Sequence, residues 1–247
     1  PFSLECKKMT RARTAMVLAA GHGERMRPLT DKMPKPMVKL AGRPLIDHVL
    51  DRLEAAHVEK AVVNVHYLAD QIEAHLRSRR EPEIVISDER DLLLDTGGGV
   101  KKALPLLGDG PFFVHNSDSV WSEGVTPALN AMLRQWNPKE MDCLLLLAPL
   151  SYSLVDSGRG DFSMAPDGML ACRGERQVVP FTFAGVSLCD QRLFENSPEG
   201  RFSLNLLWDR SLQAGRLFGI RLDGCWMHVG TPEALKEAET WFEREGA

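Results

Sequence analysis

The stretch that decides the fold reads Ala15-Met16-Val17-Leu18-Ala19-Ala20-Gly21-His22-Gly23-Glu24-Arg25-Met26-Arg27-Pro28-Leu29-Thr30, and Pro34-Lys35-Pro36 follows closely behind it. Its apolar beginning, 15–20, is typical of a short buried strand. The two glycines that follow allow the backbone to turn sharply and another molecule to approach the main chain. Such a loop exposes several N–H groups that suit an anion such as a triphosphate, and three nearby basic side chains add positive charge. The stretch therefore predicts a strand that ends in a phosphate-binding loop.

Two well-known phosphate-binding motifs do not match this loop. The dinucleotide fingerprint requires a third glycine where this chain has Met26. The P-loop of nucleoside triphosphatases requires Gly-Lys followed by Ser or Thr, which the chain lacks. Taken alone, the short motif is equally compatible with an ordinary strand-to-helix turn that carries solvated arginines.

The composition is that of a globular protein with a substantial core. The chain has 247 residues, of which 44% are hydrophobic and 26% are charged. A net charge of −4 argues against a nucleic-acid partner, since nucleic-acid binders usually present a basic face. The longest apolar run, 143–149, is too short to cross a membrane. We expect a disordered lead-in at 1–13, without a signal-peptide core, followed by a single domain at 14–247.

The cysteines carry no recognisable site. Five of them are scattered along the chain, and none occurs in Cys-x-x-Cys spacing, so neither a zinc site nor a disulfide framework is predicted. Reduced and mostly buried thiols in a cytoplasmic protein are the expected state.

Apolar periodicity alternates between helices and strands along the first third of the chain. A helix at 44–53, a strand at 58–65, a helix at 68–76 and a strand at 83–87 follow the first strand. This alternation predicts an α/β fold with a doubly wound, mostly parallel sheet. Ligands bind such sheets beyond the carboxyl ends of the strands, which is where the glycine loop lies. Further patterns predict helices at 126–136, 203–214 and 231–241, strands at 142–148, 181–188 and 217–222, and a hairpin around 166–168.

Two later segments contain candidate ligand-binding residues. The glycines of 96–99 precede a helical pattern and permit either close contact with a ligand or a flexible turn into the helix. The strand that starts at Pro111 ends in Asn116-Ser117-Asp118. An Asp there either caps the next segment or binds a metal, and Mg²⁺ is usually held by one or two carboxylates together with substrate phosphates. We favour the metal interpretation because the phosphate-binding loop lies on the same sheet edge.

The motifs together resemble one enzyme family. Residues 18–30, Leu-Ala-Ala-Gly-x-Gly-x-Arg-Met-x-Pro-Leu-Thr, followed by Pro-Lys-Pro-Met at 34–37, are similar to the signature of the sugar-1-phosphate nucleotidyltransferases. The resemblance extends from about Arg13 to the C-terminus. It implies the Rossmann-like fold of the nucleotide-diphospho-sugar transferases. It also implies transfer of a nucleoside monophosphate from a nucleoside triphosphate to a sugar 1-phosphate, with release of pyrophosphate.

The resemblance also implies a set of site residues. Catalysis would depend on Arg25, Lys35 and Asp118, with Asp118 as a ligand of Mg²⁺. Nucleotide binding is assigned to Ala19, Ala20, Gly21, Gly23, Thr96, Gly97 and Gly98. Sugar binding is assigned to Asn116, Asp161 and Gly185. An exposed turn carboxylate is the alternative for Asp161, whereas a glycine weakens a strand unless something approaches it closely, which favours a role for Gly185.

Two positions depart from the family pattern. The family usually has Asn-Gly-Asp at 116–118, and a second metal-binding Asp where this chain has His228. Histidine is a neutral ligand that suits transition metals better than Mg²⁺. Three outcomes stay open: His228 binds the metal, Asp118 and phosphate oxygens hold it alone, or catalysis is weakened. A histidine that is hydrogen-bonded to substrate or backbone is the alternative without metal binding.

Several functions remain to be separated. Residues 94–99 and 158–162 most resemble the N-acetylmuramate-1-phosphate uridylyltransferases, which implies UTP as co-substrate and a role in cell-wall recycling. Mannose-1-phosphate guanylyltransferase or another hexose-1-phosphate nucleotidyltransferase is the next alternative. A module that binds a nucleotide or a nucleotide sugar without turnover is a further alternative, because of His228. A nicotinamide-dependent oxidoreductase is disfavoured by the missing third glycine. The sequence determines neither the base, the sugar nor the oligomeric state.

Overall fold

The computed structural model describes residues 11–154 and 158–245, so the predicted lead-in lies largely outside the described residues. The strands are β1 Thr14–Leu18, β2 Lys39–Leu40, β3 Arg43–Pro44, β4 Lys60–Val65, β5 Glu83–Asp88, β6 Phe112–Asn116, β7 Ser119–Trp121, β8 Cys143–Pro149, β9 Ser153–Leu154, β10 Phe162–Met164, β11 Leu170–Cys172, β12 Phe181–Cys189, β13 Leu217–Arg221 and β14 Trp226–His228. The helices are α1 Leu45–Ala55, α2 Ala69–Leu76, α3 Asp95–Leu107, α4 Ala128–Gln135, α5 Asn205–Gln213 and α6 Pro232–Glu245.

One large sheet organises the molecule. Its strands follow the order β11-β10-β12-β6-β1-β4-β5, with β8 paired to β12 and β13 paired to β8. The strands β6, β1, β4 and β5 run parallel, whereas β12 is antiparallel to both β6 and β8. The predicted α/β class with a mostly parallel sheet is confirmed, and the simple alternation did not reveal that β12 is inserted antiparallel between β6 and β8.

Hydrophobic cores cover both faces of this sheet. Along β1, Ala15 and Val17 belong to the core on one face, and Met16 belongs to the core on the other. This alternation follows from the period of two in a strand. Because both faces are packed, the strand is an unbroken apolar run, which is why the sequence alone revealed it.

A small second sheet, β7-β14-β9, lies beside the large one. It pairs Trp226 with Trp121 and His228 with Ser119. Its core includes the buried Met26 of the first loop, Val120, Met227 and residues of α6. Strands of two or three residues are too short to show a periodic pattern, so the sequence did not predict this sheet. It brings His228 close to the end of β6.

Most predicted elements agree with the structure to within a few residues, and one differs in an instructive way. The glycines of 96–99 were expected to precede a helix, but α3 already begins at Asp95 and includes them. They are buried there against neighbouring segments. In the part of the chain that the structure describes, no helix is both long and apolar enough to cross a membrane.

Candidate active site

Two adjoining cavities lie beyond the carboxyl ends of the parallel strands β1 and β6. The first has a volume of about 670 Å³ and is lined by the loop after β1 and the beginning of α3. The second has a volume of about 420 Å³ and is lined by β12, β14 and the beginning of α6. Four residues line both cavities: Arg25, Asn116, Asp118 and Gly230. The geometry therefore offers two ligand sites that meet at a few shared side chains.

The first cavity gathers most of the residues predicted to bind a nucleotide. Its lining includes Ala19, Ala20, Gly21, Gly23 and Thr96, together with Lys35 and the shared residues. Gly97 and Gly98 do not line either cavity. The space where a Cβ atom would stand on each glycine is filled by Phe202 and Gly200 instead. The lining also includes residues that sequence reasoning missed, among them His22, Asn64, Asp95 and Arg201.

The loop after β1 is held in one conformation by its own backbone. Gly23 adopts a left-handed φ of 67°, which glycine tolerates without strain. Its carbonyl accepts hydrogen bonds from Met26 N at 2.9 Å and Thr30 Oγ1 at 2.8 Å. The Met26 side chain is fully buried, so it anchors the loop to the core. Arg25, next to this anchor, extends to the border of the two cavities.

A buried polar bridge supports the first cavity from beneath. Ala19 N donates to Asn64 Oδ1 at 2.7 Å, and Asn64 Nδ2 donates to Glu89 Oε1 at 2.8 Å. The other carboxylate oxygen, Glu89 Oε2, accepts from Leu94 N at 3.0 Å. Asn64 and Glu89 are 3% and 1% exposed, so these bonds form away from water, where an unpaired polar group is costly. The bridge joins the first loop, β4 and the segment before α3.

Asp118 is the centre of a cluster at the border of the cavities. Lys35 forms an ion pair with its Oδ2, and His228 Nε2 lies 3.2 Å from the same oxygen. Burial by itself would raise the pKa of Asp118, but the hydrogen bond with His228 and the charge of Lys35 outweigh burial and lower that pKa below its usual range. Asp118 is therefore ionised at neutral pH, as a metal ligand or charge-stabilising group must be.

The second cavity contains the three residues predicted to bind the sugar. Asn116, Asp161 and Gly185 all line it, with Trp226 and Thr231 as residues that the sequence did not single out. Asp161 Oδ2 accepts hydrogen bonds from Thr182 Oγ1 and Phe183 N, both at 2.8 Å. These bonds fix the carboxylate against β12.

Gly185 meets a close neighbour, as expected for a glycine within a strand. Its φ is 80°, and the β12 register shifts between Phe183 and Ser187 around it. A Cβ atom at this position would lie only 2.6 Å from Ser119 Cβ. Ser119 Oγ in turn accepts a hydrogen bond from Trp226 Nε1 at 2.7 Å. Glycine is therefore required for β12 to pack against the small sheet.

The side chains around Asp118 supply only part of the ligand set of a divalent metal. No group of three or more His, Cys, Asp or Glu side chains in 11–154 and 158–245 is arranged to hold a metal ion. Asp118 offers one ionised carboxylate, and His228 offers a ring nitrogen beside it. Such a partial set fits a cation that is completed by substrate oxygens, which is how Mg²⁺ is commonly bound.

Comparisons with known proteins agree with this geometry. The model of the nucleotidyl transferase family matches residues 14–154. The N-acetylmuramate alpha-1-phosphate uridylyltransferase of Caulobacter vibrioides is 50% identical over 229 residues, which cover 91% of this chain and 95% of that protein. The protein of the same name from Neisseria meningitidis serogroup B is 36% identical over 230 residues, which cover 91% of this chain and 96% of that protein.

A solved structure with a similar fold is UDP-glucose pyrophosphorylase complexed with UDP-glucose. It aligns with a TM-score of 0.79, covering 95% of this chain and 100% of that one. At 14% identity this likeness concerns the fold alone. The sequence relatives are sugar-1-phosphate nucleotidyltransferases, so the resemblance seen in the motifs is confirmed. The family model spans more than half of the chain and the two relatives align with nearly all of it, so the chain belongs to the nucleotidyl transferase family.

Proposed function

We propose that this enzyme transfers UMP from UTP to N-acetylmuramate 1-phosphate, giving UDP-N-acetylmuramate and pyrophosphate. The observation that carries the proposal is the 50% identity to the Caulobacter vibrioides enzyme across almost the whole of both chains. The two adjoining cavities support it, because the reaction requires a nucleotide and a sugar phosphate to meet end to end.

The first cavity is the proposed UTP site. Its glycine loop presents backbone N–H groups at the end of β1, where an anion is well accommodated. Arg25 extends from the same loop and Lys35 lies beside it, so cationic side chains accompany the amides. The second cavity is then the site of the sugar, whose hydroxyl groups suit hydrogen bonds with Asn116 and Asp161.

The proposed chemistry takes place where the cavities meet. An oxygen of the sugar phosphate attacks the α-phosphorus of UTP in line, and the bond from that phosphorus to the bridging oxygen breaks as pyrophosphate leaves with the electron pair. A phosphate monoester is already a nucleophile at neutral pH, so a general base is not needed. Arg25 and Lys35 hold the two anions together and neutralise their charge, which supplies catalysis by positioning and electrostatics.

Mg²⁺ is the proposed cofactor, with Asp118 as its protein carboxylate and His228 as a candidate nitrogen ligand. The cation, when bound, would neutralise phosphate charge. Asp118 stays ionised because of its neighbours, so it is ready to bind a cation without first losing a proton. Lys35 shares the same oxygen and would have to exchange this ion pair for contacts with the phosphates.

The test is pyrophosphate release, measured with Mg²⁺ across a grid of nucleoside triphosphates and sugar 1-phosphates. The proposal expects release to be confined to UTP with N-acetylmuramate 1-phosphate. Release with GTP and mannose 1-phosphate instead would favour the guanylyltransferase alternative. Nucleotide binding without any release would favour the binding module and would make H228D the next variant to prepare. The cytoplasmic location expected from the sequence stays a prediction.

A further inference from the structure

Arg201 reaches the first cavity from a distant part of the chain. It lies in the 198–203 loop, which precedes α5, and it lines the cavity together with Arg25 and Lys35. Lys35 is already paired with Asp118. Within the described residues, neither Arg25 nor Arg201 has a side-chain hydrogen bond or ion pair, and both are exposed. Among the described residues, no carboxylate thus lies within 4.0 Å of either guanidinium group, although Glu24, Asp95 and Asp118 also line the cavity.

The 198–203 loop is hydrogen-bonded to the beginning of α3. Gly97 N and Gly98 N both donate to Phe202 O, at 2.9 and 3.0 Å. Phe202 N donates to Leu94 O at 3.2 Å, and Leu204 N donates to Thr96 Oγ1 at 2.9 Å. Four hydrogen bonds therefore hold the residues on the C-terminal side of Arg201 against the first turn of α3.

The two glycines make this close approach possible. A Cβ atom on Gly97 would lie 2.4 Å from Cε2 of the Phe202 ring. A Cβ atom on Gly98 would lie 2.2 Å from the carbonyl oxygen of Gly200, the residue before Arg201. Both separations are far below any van der Waals contact, so a side chain at either position would push the loop away. The amide groups of both glycines are also already used, by Phe202 O.

We propose that Arg201 binds the phosphates of the nucleoside triphosphate, and that Gly97 and Gly98 are positioning residues that hold Arg201 at the cavity. This inference rests on the proposed function, because it takes the first cavity as the site of the triphosphate. A guanidinium group offers a planar fork of donors that matches phosphate oxygens. Arg25 and Arg201 then approach the same polyphosphate from two separate loops.

The first experiment measures binding of UTP and of uridine to R201A, R201K and R77A by calorimetry. Arg77 is an exposed arginine at the end of α2, outside both cavities, and R77A is the matched control. The expected result is a Kd for UTP that rises about tenfold or more in R201A. This is the loss of affinity expected when a hydrogen bond to a charged group is removed. R201K should recover part of the loss, and R77A should bind like the wild type.

Uridine separates the phosphate assignment from a contact with the nucleoside. Uridine lacks phosphates, so its affinity should change less than twofold in R201A. A UTP affinity within twofold of wild type would overturn the proposal. An equal loss for UTP and uridine would overturn the assignment to the phosphates.

The second experiment is a double-mutant cycle between G98A and R201A. If Gly98 acts through Arg201, G98A weakens UTP binding in the wild-type background and adds little in the R201A background. Additive losses would overturn the positioning role. Thermal unfolding of each variant shows whether it is folded. If G98A does not fold, G97A replaces it in the cycle, because Gly97 packs against Phe202 of the same loop.

These outcomes are distinguishable from failure of the proposed function. If wild type releases no pyrophosphate with N-acetylmuramate 1-phosphate, the substrate assignment fails. The binding measurements with UTP still decide the role of Arg201, because they require no sugar phosphate and no turnover.

Discussion

The first and second cavities share a border, but they are assembled in opposite ways. Much of the first cavity comes from one continuous stretch, 18–25, at the end of β1. The second cavity draws three residues from β12, two from β14, Asp161 from the turn before β10, and Ala234 from the beginning of α6. The comparison shows that a site made of consecutive residues can be recognised as a motif, whereas a site made of scattered residues depends on how strands pair.

The two cavities also differ in what supports their walls. The first is supported by the buried bridge from Ala19 through Asn64 to Glu89. The second is supported near its exposed edge by the bonds that Asp161 makes to β12. Substitutions on each side should therefore affect one substrate more than the other, and the shared residues should affect both.

The largest expected effect is that of K35A, which should impair the enzyme with both substrates, because Lys35 lies where the two cavities meet. In the proposed function Lys35 neutralises the reacting phosphates at the border, so its loss should lower kcat/KM for both substrates by about 10²–10³-fold, as for other preorganised charge-stabilising groups. Steady-state kinetics with each substrate varied in turn measures this. K39A, at an exposed position of β2, is the control. Turnover within a few-fold of wild type would remove Lys35 from the mechanism.

The second effect is that of N64A, which should damage the first cavity. The substitution leaves Ala19 N and Glu89 Oε1 without their partner in a buried site, which we expect to cost about 2–3 kcal/mol of the free energy of unfolding. Denaturant titration measures the loss, and N130A on α4 is the control. The Kd of UTP should rise while that of the sugar 1-phosphate is unchanged. Equal weakening of UTP binding and sugar 1-phosphate binding would show that the Asn64 bridge does not support the first cavity alone.

The third effect is that of G185A, which should damage the second cavity. The new Cβ atom would collide with Ser119, and an alanine at a φ of 80° is strained, so we expect a loss of about 1–3 kcal/mol in the free energy of unfolding. KM for the sugar 1-phosphate should rise with little change for UTP. G110A is the control, because a Cβ atom there meets nothing within 4 Å. A G185A protein as stable as G110A would show that β12 can relax.

The smallest effect is that of D161N. Both bonds end on Asp161 Oδ2, so an amide oxygen in its place still accepts from Thr182 Oγ1 and Phe183 N. The negative charge is lost, and KM for the sugar 1-phosphate should therefore rise about threefold to tenfold. UTP affinity should stay the same. D109N, in an exposed loop away from both cavities, serves as the comparison. If D161N changed UTP affinity instead, the assignment of the second cavity to the sugar 1-phosphate would be wrong.

Much of the fold could be predicted because its signals are local. Apolar runs revealed β1, β4 and β8, helical periodicity revealed α1 and α2, and the turn residues at 166–168 revealed the β10–β11 hairpin. The antiparallel placement of β12 and the small sheet β7-β14-β9 were not visible, because strand pairing is a relation between distant segments.

By itself, the sequence determined the α/β class and predicted a phosphate-binding loop at 19–25, and both follow from backbone preferences and chemistry within short windows of chain. The resemblance to the family motifs placed Lys35 and Asp118, which meet at the cavity border, among the candidate site residues. Only the tertiary structure decided that His228 lies 3.2 Å from Asp118, and that Gly97 and Gly98 face Phe202 and Gly200 rather than a cavity. The physical reason is that periodicity and turn chemistry act between neighbours along the chain. Close approach of two backbones depends on the packing of segments a hundred residues apart.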